Sequence, residues 1–144
     1  MAEAIFRTLA SKRLQCSEDK LRHHNIDVLS AGVAAAENLP ASSGAIQVLR
    51  EQGINLTDHL SQQVTEEMLE KSDLILTMTP SHLEVLANAR PDLRKQMRLL
   101  RIDGGAVSDP IGGTVDDYRR CATEISENID QLLDELFQKD TEVR

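Results

Sequence analysis

The stretch 72–80, Ser-Asp-Leu-Ile-Leu-Thr-Met-Thr-Pro, decides the fold of this chain. Its centre, residues 74–78, is an apolar run of the length that a buried strand has. Thr79 and Pro80 then indicate a helix start, because threonine is a good N-cap residue and proline suits the first helical position. The stretch therefore predicts a buried strand that leads directly into a helix through Leu86, which is the basic unit of an α/β fold.

The sequence on both sides of this stretch continues the alternation of helices and strands. Apolar residues at helical spacing predict a helix over 1–14, and a long apolar stripe predicts another from Thr114 onward. Between these two, the patterns predict helices over 42–52 and 65–72 and strands over 26–30 and 98–102. We therefore predict a single α/β domain over 1–144, in which helices flank a small parallel sheet of three strands.

The composition excludes several classes of protein. The chain has 144 residues and a formal net charge of −8, from 16 Lys and Arg and 24 Asp and Glu. An acidic chain without a basic cluster is a poor candidate for binding nucleic acid. No apolar run reaches the roughly 18–20 residues that a membrane helix needs. Two cysteines are too few for a disulfide framework. We therefore predict a cytoplasmic protein that binds neither nucleic acid nor membrane.

One glycine-rich loop contains the run Asp109-Pro110-Ile111-Gly112-Gly113. An Asp-Pro-x-Gly sequence is typical of a plain turn. It also suits a catalytic loop, because proline fixes the backbone after the carboxylate and glycine lets the chain approach a ligand closely. A carboxylic acid held at a cleft can donate a proton to a leaving group. The pattern alone leaves both interpretations open.

A second polar cluster runs over 58–63 and contains His59 and Ser61. It is either a solvated loop or a supporting cluster whose imidazole and hydroxyl hold a neighbouring loop by hydrogen bonds. The histidines at 23–24 are adjacent, so they do not share a helix face. With no third ligand in the sequence nearby, they predict no metal site, and we expect no cofactor.

The segment from Cys16 to Arg22 matches the Cys-x5-Arg spacing of cysteine phosphatase loops. It contains no glycine, which usually allows successive N–H groups to converge on a phosphate, and Glu18 and Asp19 would repel the dianion. It also follows a predicted helix, whereas an anion is favoured where a strand end meets a helix start. We therefore reject this segment as a nucleophile loop and interpret Cys121 as a packing residue of the last helix.

The sequence resembles the low-molecular-weight protein tyrosine phosphatases, including their bacterial protein-arginine-phosphatase branch. The matching stretches are weak singly, but they are collinear and cover nearly the whole chain. They are residues 1–6 (MAEAIF), 30–33 (SAGV), 53–61 (GINLTDHLS), 64–67 (VTEE), 72–79 (SDLILTMT) and 109–113 (DPIGG), followed by the long last helix. The resemblance implies a three-layer fold of the phosphotyrosine-phosphatase-I type. It also implies hydrolysis of a phosphorylated protein through a phosphocysteine intermediate, without a cofactor.

The resemblance also implies a role for several residues. Asp109 matches the general acid and base, and Pro110 and Ile111 lie on the substrate side of its loop. His59 matches a residue that supports the phosphate loop, and Ser61 lies in the same supporting run. Ile111 stands where tyrosine-directed relatives often carry an aromatic ring. This difference weakens the case for phosphotyrosine as the substrate and leaves phosphoarginine open.

Two family features have no match in this chain. An arginine commonly follows the supporting serine closely, and here Gln62 and Gln63 stand instead. In the family, a first strand and a Cys-x5-Arg phosphate loop lead into a motif like the one that begins at Met1. We therefore expect that the chain is N-terminally truncated, that the catalytic Cys and the phosphate-binding Arg are absent from it, and that it is inactive as it stands.

Three hypotheses about function follow. In the first, the chain is a phosphatase whose true start lies upstream of Met1. In the second, it is a non-catalytic relic or binding module. In the third, it is similar to thiol-dependent arsenate reductases, but that reaction needs resolving cysteines, and Cys16 and Cys121 are not a suitably spaced pair.

Overall fold

The computed structural model describes residues 1–142, except for the side chains of residues 139–142. The described part of the chain alternates helices with short strands. Its elements are α1 (Ala2–Leu14), a 3-10 helix (Glu18–His24), α2 (Ser43–Glu51), α3 (Glu66–Lys71), β1 (Ile75–Thr77), α4 (Pro80–Ala89), a second 3-10 helix (Pro91–Gln96), β2 (Met97–Leu99) and α5 (Val115–Glu142).

The strand-to-helix unit that the stretch 72–80 predicts is confirmed. β1 ends at Thr77, and α4 starts at Pro80 because the Thr79 hydroxyl accepts a hydrogen bond from the backbone N–H of His82 at 3.2 Å. α4 then runs to Ala89, three residues farther than predicted. The unit brings the chain back to β2, which pairs with β1 in parallel. A helical crossover between parallel strands is the defining connection of α/β folds.

Helices pack on both faces of this sheet. Successive strand residues point to opposite faces, so Leu76 packs against the larger core while Ile75 packs against the smaller one. Buried residues of α1, α2 and α5 form the larger core, and α3 and α4 contribute to the smaller one. The predicted class, a three-layer α/β fold with a small parallel sheet, is therefore confirmed.

The predicted strand over 26–30 is wrong, so the described residues contain two strands instead of three. Side chains bond the backbone of this segment. The Arg7 guanidinium donates to Val28 O, Gln62 Nε2 donates to Ser30 O at 2.8 Å, and Ser30 N–H donates to the Glu3 carboxylate at 2.9 Å. A strand needs a neighbouring strand as the hydrogen-bond partner of its N–H and C=O groups. In this segment, side chains are the hydrogen-bond partners of the backbone instead.

Candidate active site

The candidate site lies at the carboxyl ends of the parallel strands, where ligands bind in open α/β sheets. The chain leaves β2 and returns to the end of β1, where the backbone N–H of Val107 donates to Met78 O at 2.8 Å. Asp109 follows two residues later. This hydrogen bond, just beyond the end of β1, holds the start of the acid loop, Asp109–Gly113, at the carboxyl edge of the sheet.

The acid loop is a tight turn that exposes its carboxyl group. Asp109 Oδ1 accepts a hydrogen bond from the N–H of Ile111 at 3.0 Å, and Gly113 N–H donates to Pro110 O at 2.8 Å. Gly112 has a φ of 76°, a conformation that favours glycine. Asp109 is exposed, and Ile111 is 74% exposed. The loop therefore presents a solvent-accessible carboxyl group beside an apolar side chain.

A capping box joins the acid loop to α5. The Asp117 carboxylate accepts hydrogen bonds from the Thr114 N–H at 2.7 Å and from the Thr114 hydroxyl at 2.9 Å. In return, Asp117 N–H donates to the Thr114 hydroxyl at 3.2 Å. The bonds from Thr114 lower the pKa of the Asp117 carboxyl group. This reciprocal arrangement fixes where the loop ends and the helix begins.

A cleft of about 360 Å³ separates the acid loop from the start of α2. Ser42, Ser43 and Gly44 line one side, and residues 111–113 line the other. Gly44 packs so closely on the ring of Tyr118 that a Cβ atom there would lie 2.5 Å from a ring carbon. α2 and α5 therefore set the width of this cleft.

His59 lies beside Glu3 in the first turn of α1. His59 Nδ1 is 4.0 Å from Glu3 Oε2, and the same oxygen accepts hydrogen bonds from the N–H (2.9 Å) and the hydroxyl (2.7 Å) of Ser30. Glu3 Oε1 accepts two further bonds from Arg7. Glu3, Arg7 and His59 line a second cleft of about 350 Å³. The sequence reasoning assigned no role to Glu3.

Ser61 and the two glutamines that follow it hold loops in place. The Ser61 hydroxyl donates to Ala36 O and accepts from the N–H of Leu39 at 3.0 Å. Gln62 Nε2 donates to Ser30 O, and Gln63 Nε2 donates to Val33 O, each at 2.8 Å. The glutamines thus bind the loop that also contacts Glu3, a role that the run 58–63 suggested in general but not residue by residue.

Comparison with known proteins decides the family. Residues 1–142 match the family described as "Low molecular weight phosphotyrosine protein phosphatase". The chain belongs to this family. A protein-arginine-phosphatase of Bacillus subtilis (strain 168) is 35% identical over 140 residues, covering 94% of this chain and 87% of the relative.

Solved structures show the same low-molecular-weight phosphatase fold. The YwlE arginine phosphatase from Geobacillus stearothermophilus is 28% identical and superposes with a TM-score of 0.84, over 99% of this chain and 87% of that one. A mutant YwlE arginine phosphatase with a phosphorylated active-site serine is 33% identical, with a TM-score of 0.82, over 99% of this chain and 90% of that one.

The Cys16–Arg22 segment does not join a strand to a helix. Cys16 follows the end of α1, where its N–H donates to Ser11 O at 3.0 Å. The residues after it form a 3-10 helix, and Arg22 pairs with Asp27 at 3.0 Å. Cys121 lies inside α5, and burial raises the pKa of its thiol. Cys16 therefore lies between two helices, and Cys121 lies within one.

The described residues were also compared with the requirements of a membrane-spanning helix and of a metal site. No helix of the described residues is long and apolar enough to span a membrane. Across the same residues, no three or more His, Cys, Asp or Glu side chains are grouped so that they could hold a metal ion.

Proposed function

We propose that this chain is the scaffold and acid side of a protein phosphatase that acts on phosphoarginine, with Asp109 as the general acid. The observation that supports this proposal most is the position of Asp109, whose exposed carboxyl group lies on a tight turn at the carboxyl edge of the sheet. The chain also belongs to a phosphatase family.

The chemistry proposed for Asp109 has two steps. A cysteine thiolate attacks phosphorus, the bond from phosphorus to the leaving nitrogen or oxygen breaks, and the Asp109 carboxyl group donates its proton to that leaving atom. Water then attacks the phosphocysteine, the Asp109 carboxylate accepts the proton from water, and the bond between sulfur and phosphorus breaks. The relative with a phosphorylated active-site serine supports a phosphoenzyme route.

Phosphoarginine is the better supported substrate. Ile111 is the exposed apolar residue beside Asp109, and an aliphatic side chain offers no aromatic face against which a phosphotyrosine ring could stack. A relative that is 35% identical over 94% of this chain is a protein-arginine-phosphatase. We therefore propose a phosphorylated protein as the partner and a guanidine nitrogen as the leaving atom.

We further propose that the described residues do not supply the nucleophile, so that the 144-residue chain by itself does not turn over. Cys16 is followed by a 3-10 helix instead of a loop of converging N–H groups, and Cys121 is buried with a raised pKa. A binding module with the same scaffold is the second candidate, and this geometry at Cys16 is the observation that favours it.

The cysteine positions disfavour arsenate reduction. Arg13, near the end of α1 that Cys16 follows, pairs with Asp130 of α5, which lies nine residues beyond Cys121. Nine residues of helix span about 13 Å, and a disulfide needs its two Cα atoms within about 7 Å. This placement disfavours the two cysteines as a resolving pair.

The test compares the chain with an extended chain, in which a strand and a Cys-x5-Arg loop of the family's pattern are joined ahead of Met1. We expect phosphate release from a phosphoarginine-bearing protein by the extended chain alone. Asp109→Asn should lower kcat by about 10²–10⁴-fold. Asp116→Asn, which removes an exposed carboxylate in the first turn of α5, is the matched control and should leave the rate unchanged.

Each failure has a separate meaning. Hydrolysis by the 144-residue chain at the rate of the extended chain would show that the nucleophile lies within it. An extended chain that is folded but inactive would leave the binding module as the function. Equal effects of the two aspartate variants would show that Asp109 is not the general acid.

A further inference from the structure

The segment between β2 and α5, residues 100–114, is attached to α5 by side-chain contacts at three places. Near the start of the segment, the Arg101 guanidinium pairs with the Glu124 carboxylate. Farther along, the Cys121 thiol donates a hydrogen bond to Ser108 O at 3.5 Å. At the end of the segment, the capping box makes the third attachment.

The three attachment points lie on one face of α5. Asp117 of the capping box, Cys121 and Glu124 are four and three positions apart, a spacing that places side chains on the same side of a helix. Their partners follow in the opposite order along the segment, because Arg101 meets Glu124 and Ser108 meets Cys121. The segment therefore runs antiparallel to the N-terminal part of α5 and lies along it.

Arg101 also cross-links the start of the segment. Its guanidinium donates to both carboxylate oxygens of Asp103, at 3.0 and 2.6 Å, and to Ala106 O at 3.4 Å. Asp103 in turn accepts a bond from the Gly105 N–H at 3.0 Å. The bonds from Arg101 are the main cause that lowers the pKa of the Asp103 carboxyl group to about 2. This turn is therefore attached to α5 as one unit by the ion pair with Glu124.

The Cys121 thiol makes the attachment nearest to the proposed acid. Its acceptor, Ser108 O, belongs to the residue before Asp109, and the N–H of Val107 bonds Met78 O at 2.8 Å. Cys121 is buried, and burial raises the pKa of its thiol. The thiol therefore keeps its proton at neutral pH and remains a donor. The backbone that leads into Asp109 is thus bonded to the end of β1 and to α5.

The acid loop determines its own shape, but its position depends on what holds its two ends. Its internal hydrogen bonds join residues of the loop to one another. The capping box holds one end, and the bonds to Val107 and Ser108 hold the other. A general acid must lie within hydrogen-bond reach of the atom that it protonates, and a displacement of about 1 Å can cost about 10²-fold in rate.

We propose that Cys121 and Glu124 are positioning residues for Asp109, and that the face of α5 formed by Asp117, Cys121 and Glu124 is a mount that holds the acid loop at the carboxyl edge of the sheet. In this proposal the two residues act through the backbone of the segment and not by touching the substrate. The effect on catalysis rests on the proposed function, whereas the mount itself is a property of the fold.

The first test is amide hydrogen exchange, measured by NMR on the full 144-residue chain. Cys121→Ala removes the donor to Ser108 O, and Glu124→Gln removes the charge that holds Arg101. We expect each variant to accelerate exchange of the Val107 N–H at least about threefold, because this amide is then released by local opening. The Val64 N–H, which bonds Gly32 O at 3.0 Å, should be unchanged, whereas a general loss of stability would accelerate both amides.

The matched controls are Cys16→Ala and Glu127→Gln. Cys16 is the second cysteine of the chain and follows α1, and Glu127 is an exposed glutamate on α5, one turn beyond Glu124. Neither control should change the exchange of the Val107 N–H. A Val107 N–H whose exchange is unchanged in both mount variants, or is accelerated equally by the controls, would overturn the proposal.

The second test measures kcat/KM of the extended chain with phenyl phosphate and with 2,4-dinitrophenyl phosphate. The leaving oxygen of the first ester needs a proton, and that of the second does not. We expect Cys121→Ala and Glu124→Gln to lower kcat/KM about tenfold for phenyl phosphate and to leave it nearly unchanged for the dinitrophenyl ester. General damage to the fold lowers both values, so an equal loss with the two esters would overturn the positioning role.

The two tests separate this proposal from the proposed function. An extended chain that hydrolyses nothing overturns the phosphatase function, and the exchange rates still decide whether α5 holds the loop. An active extended chain in which Asp109→Asn discriminates between the esters, but the mount variants do not, keeps the function and overturns the positioning role.

Discussion

The two sides of the candidate site are held together in different ways. On the acid side, residues 109–117, the side-chain bonds join residues two or three positions apart, as between Asp109 and Ile111. On the histidine side, which comprises Glu3, Ser30, His59 and Gln62, the hydrogen bonds join residues 27 and 32 positions apart. One side is local in sequence, and the other exists only when the whole domain is folded.

This difference separates the side for which we propose a chemical role from the side that joins distant parts of the chain. The acid loop makes its own turn and is anchored by the capping box on α5, so the side-chain bonds that shape it do not involve α1. The histidine side joins α1 to two loops, so it senses changes at the start of α1. Variants on each side should therefore have effects of different kinds.

The largest effect on stability is expected at Glu3. Glu3→Ala leaves the Ser30 N–H, the Ser30 hydroxyl and the Arg7 guanidinium without their acceptor. Unpaired, part-buried donors are costly, so we expect a loss of roughly 2–3 kcal/mol in the free energy of unfolding. Urea denaturation measures it.

The matched control for this variant is Glu18→Ala. Glu18 lines the same cleft, but its side chain is exposed and accepts one bond, from the Thr8 hydroxyl at 2.7 Å. We expect a change within about 0.5 kcal/mol. A Glu3→Ala variant as stable as Glu18→Ala would contradict the description of the histidine side as a shared set of long-range contacts.

A smaller effect is expected on the acid side, at Asp117. Asp117→Asn removes the charged acceptor of the capping box and should lower Tm by a few degrees at neutral pH. Because the folded-state pKa of Asp117 is lowered from 3.8, its contribution is complete above that value and is lost as pH falls through the lower folded-state pKa.

Thermal melts of both proteins from neutral to acid pH test this prediction. The difference in Tm between the native chain and Asp117→Asn should shrink once the pH falls below 3.8. A difference that stays constant to lower pH would mean that the Asp117 charge does not stabilise the helix start.

The sequence predicts the elements whose causes are local. The strand at β1 and the start of α4 follow from an apolar run, the Thr79 cap and Pro80. The prediction of a strand over 26–30 is wrong because a strand depends on a neighbouring strand, which the local sequence pattern does not reveal. Asp109 can be singled out from the sequence because its Asp-Pro-x-Gly pattern is local, as the apolar run of β1 is. Glu3 cannot, because it stands in an ordinary helical pattern and contacts Ser30, which is 27 positions farther along the chain.

The smallest effect is expected at the Cys16–Arg22 segment. Cys16→Ser and Arg22→Ala should leave turnover by the extended chain unchanged, within about twofold, because the segment is a 3-10 helix whose arginine makes an exposed pair with Asp27. Steady-state hydrolysis of para-nitrophenyl phosphate measures this. A strong loss of rate with either variant would show that the segment takes part in catalysis and would contradict our conclusion that it is not the nucleophile loop.

The central claim, that Asp109 protonates the leaving atom, is tested most directly by varying the leaving group. The extended chain and its Asp109→Asn variant are assayed with a poor leaving group, phenyl phosphate, and with a good one, 2,4-dinitrophenyl phosphate. The quantity compared is kcat/KM, which reports the steps through departure of the leaving group and not the later hydrolysis of the phosphocysteine. A good leaving group departs without a proton, so we predict that Asp109→Asn lowers kcat/KM by about 10²-fold or more for phenyl phosphate and barely lowers it for the dinitrophenyl ester. An equal loss with both esters would contradict it.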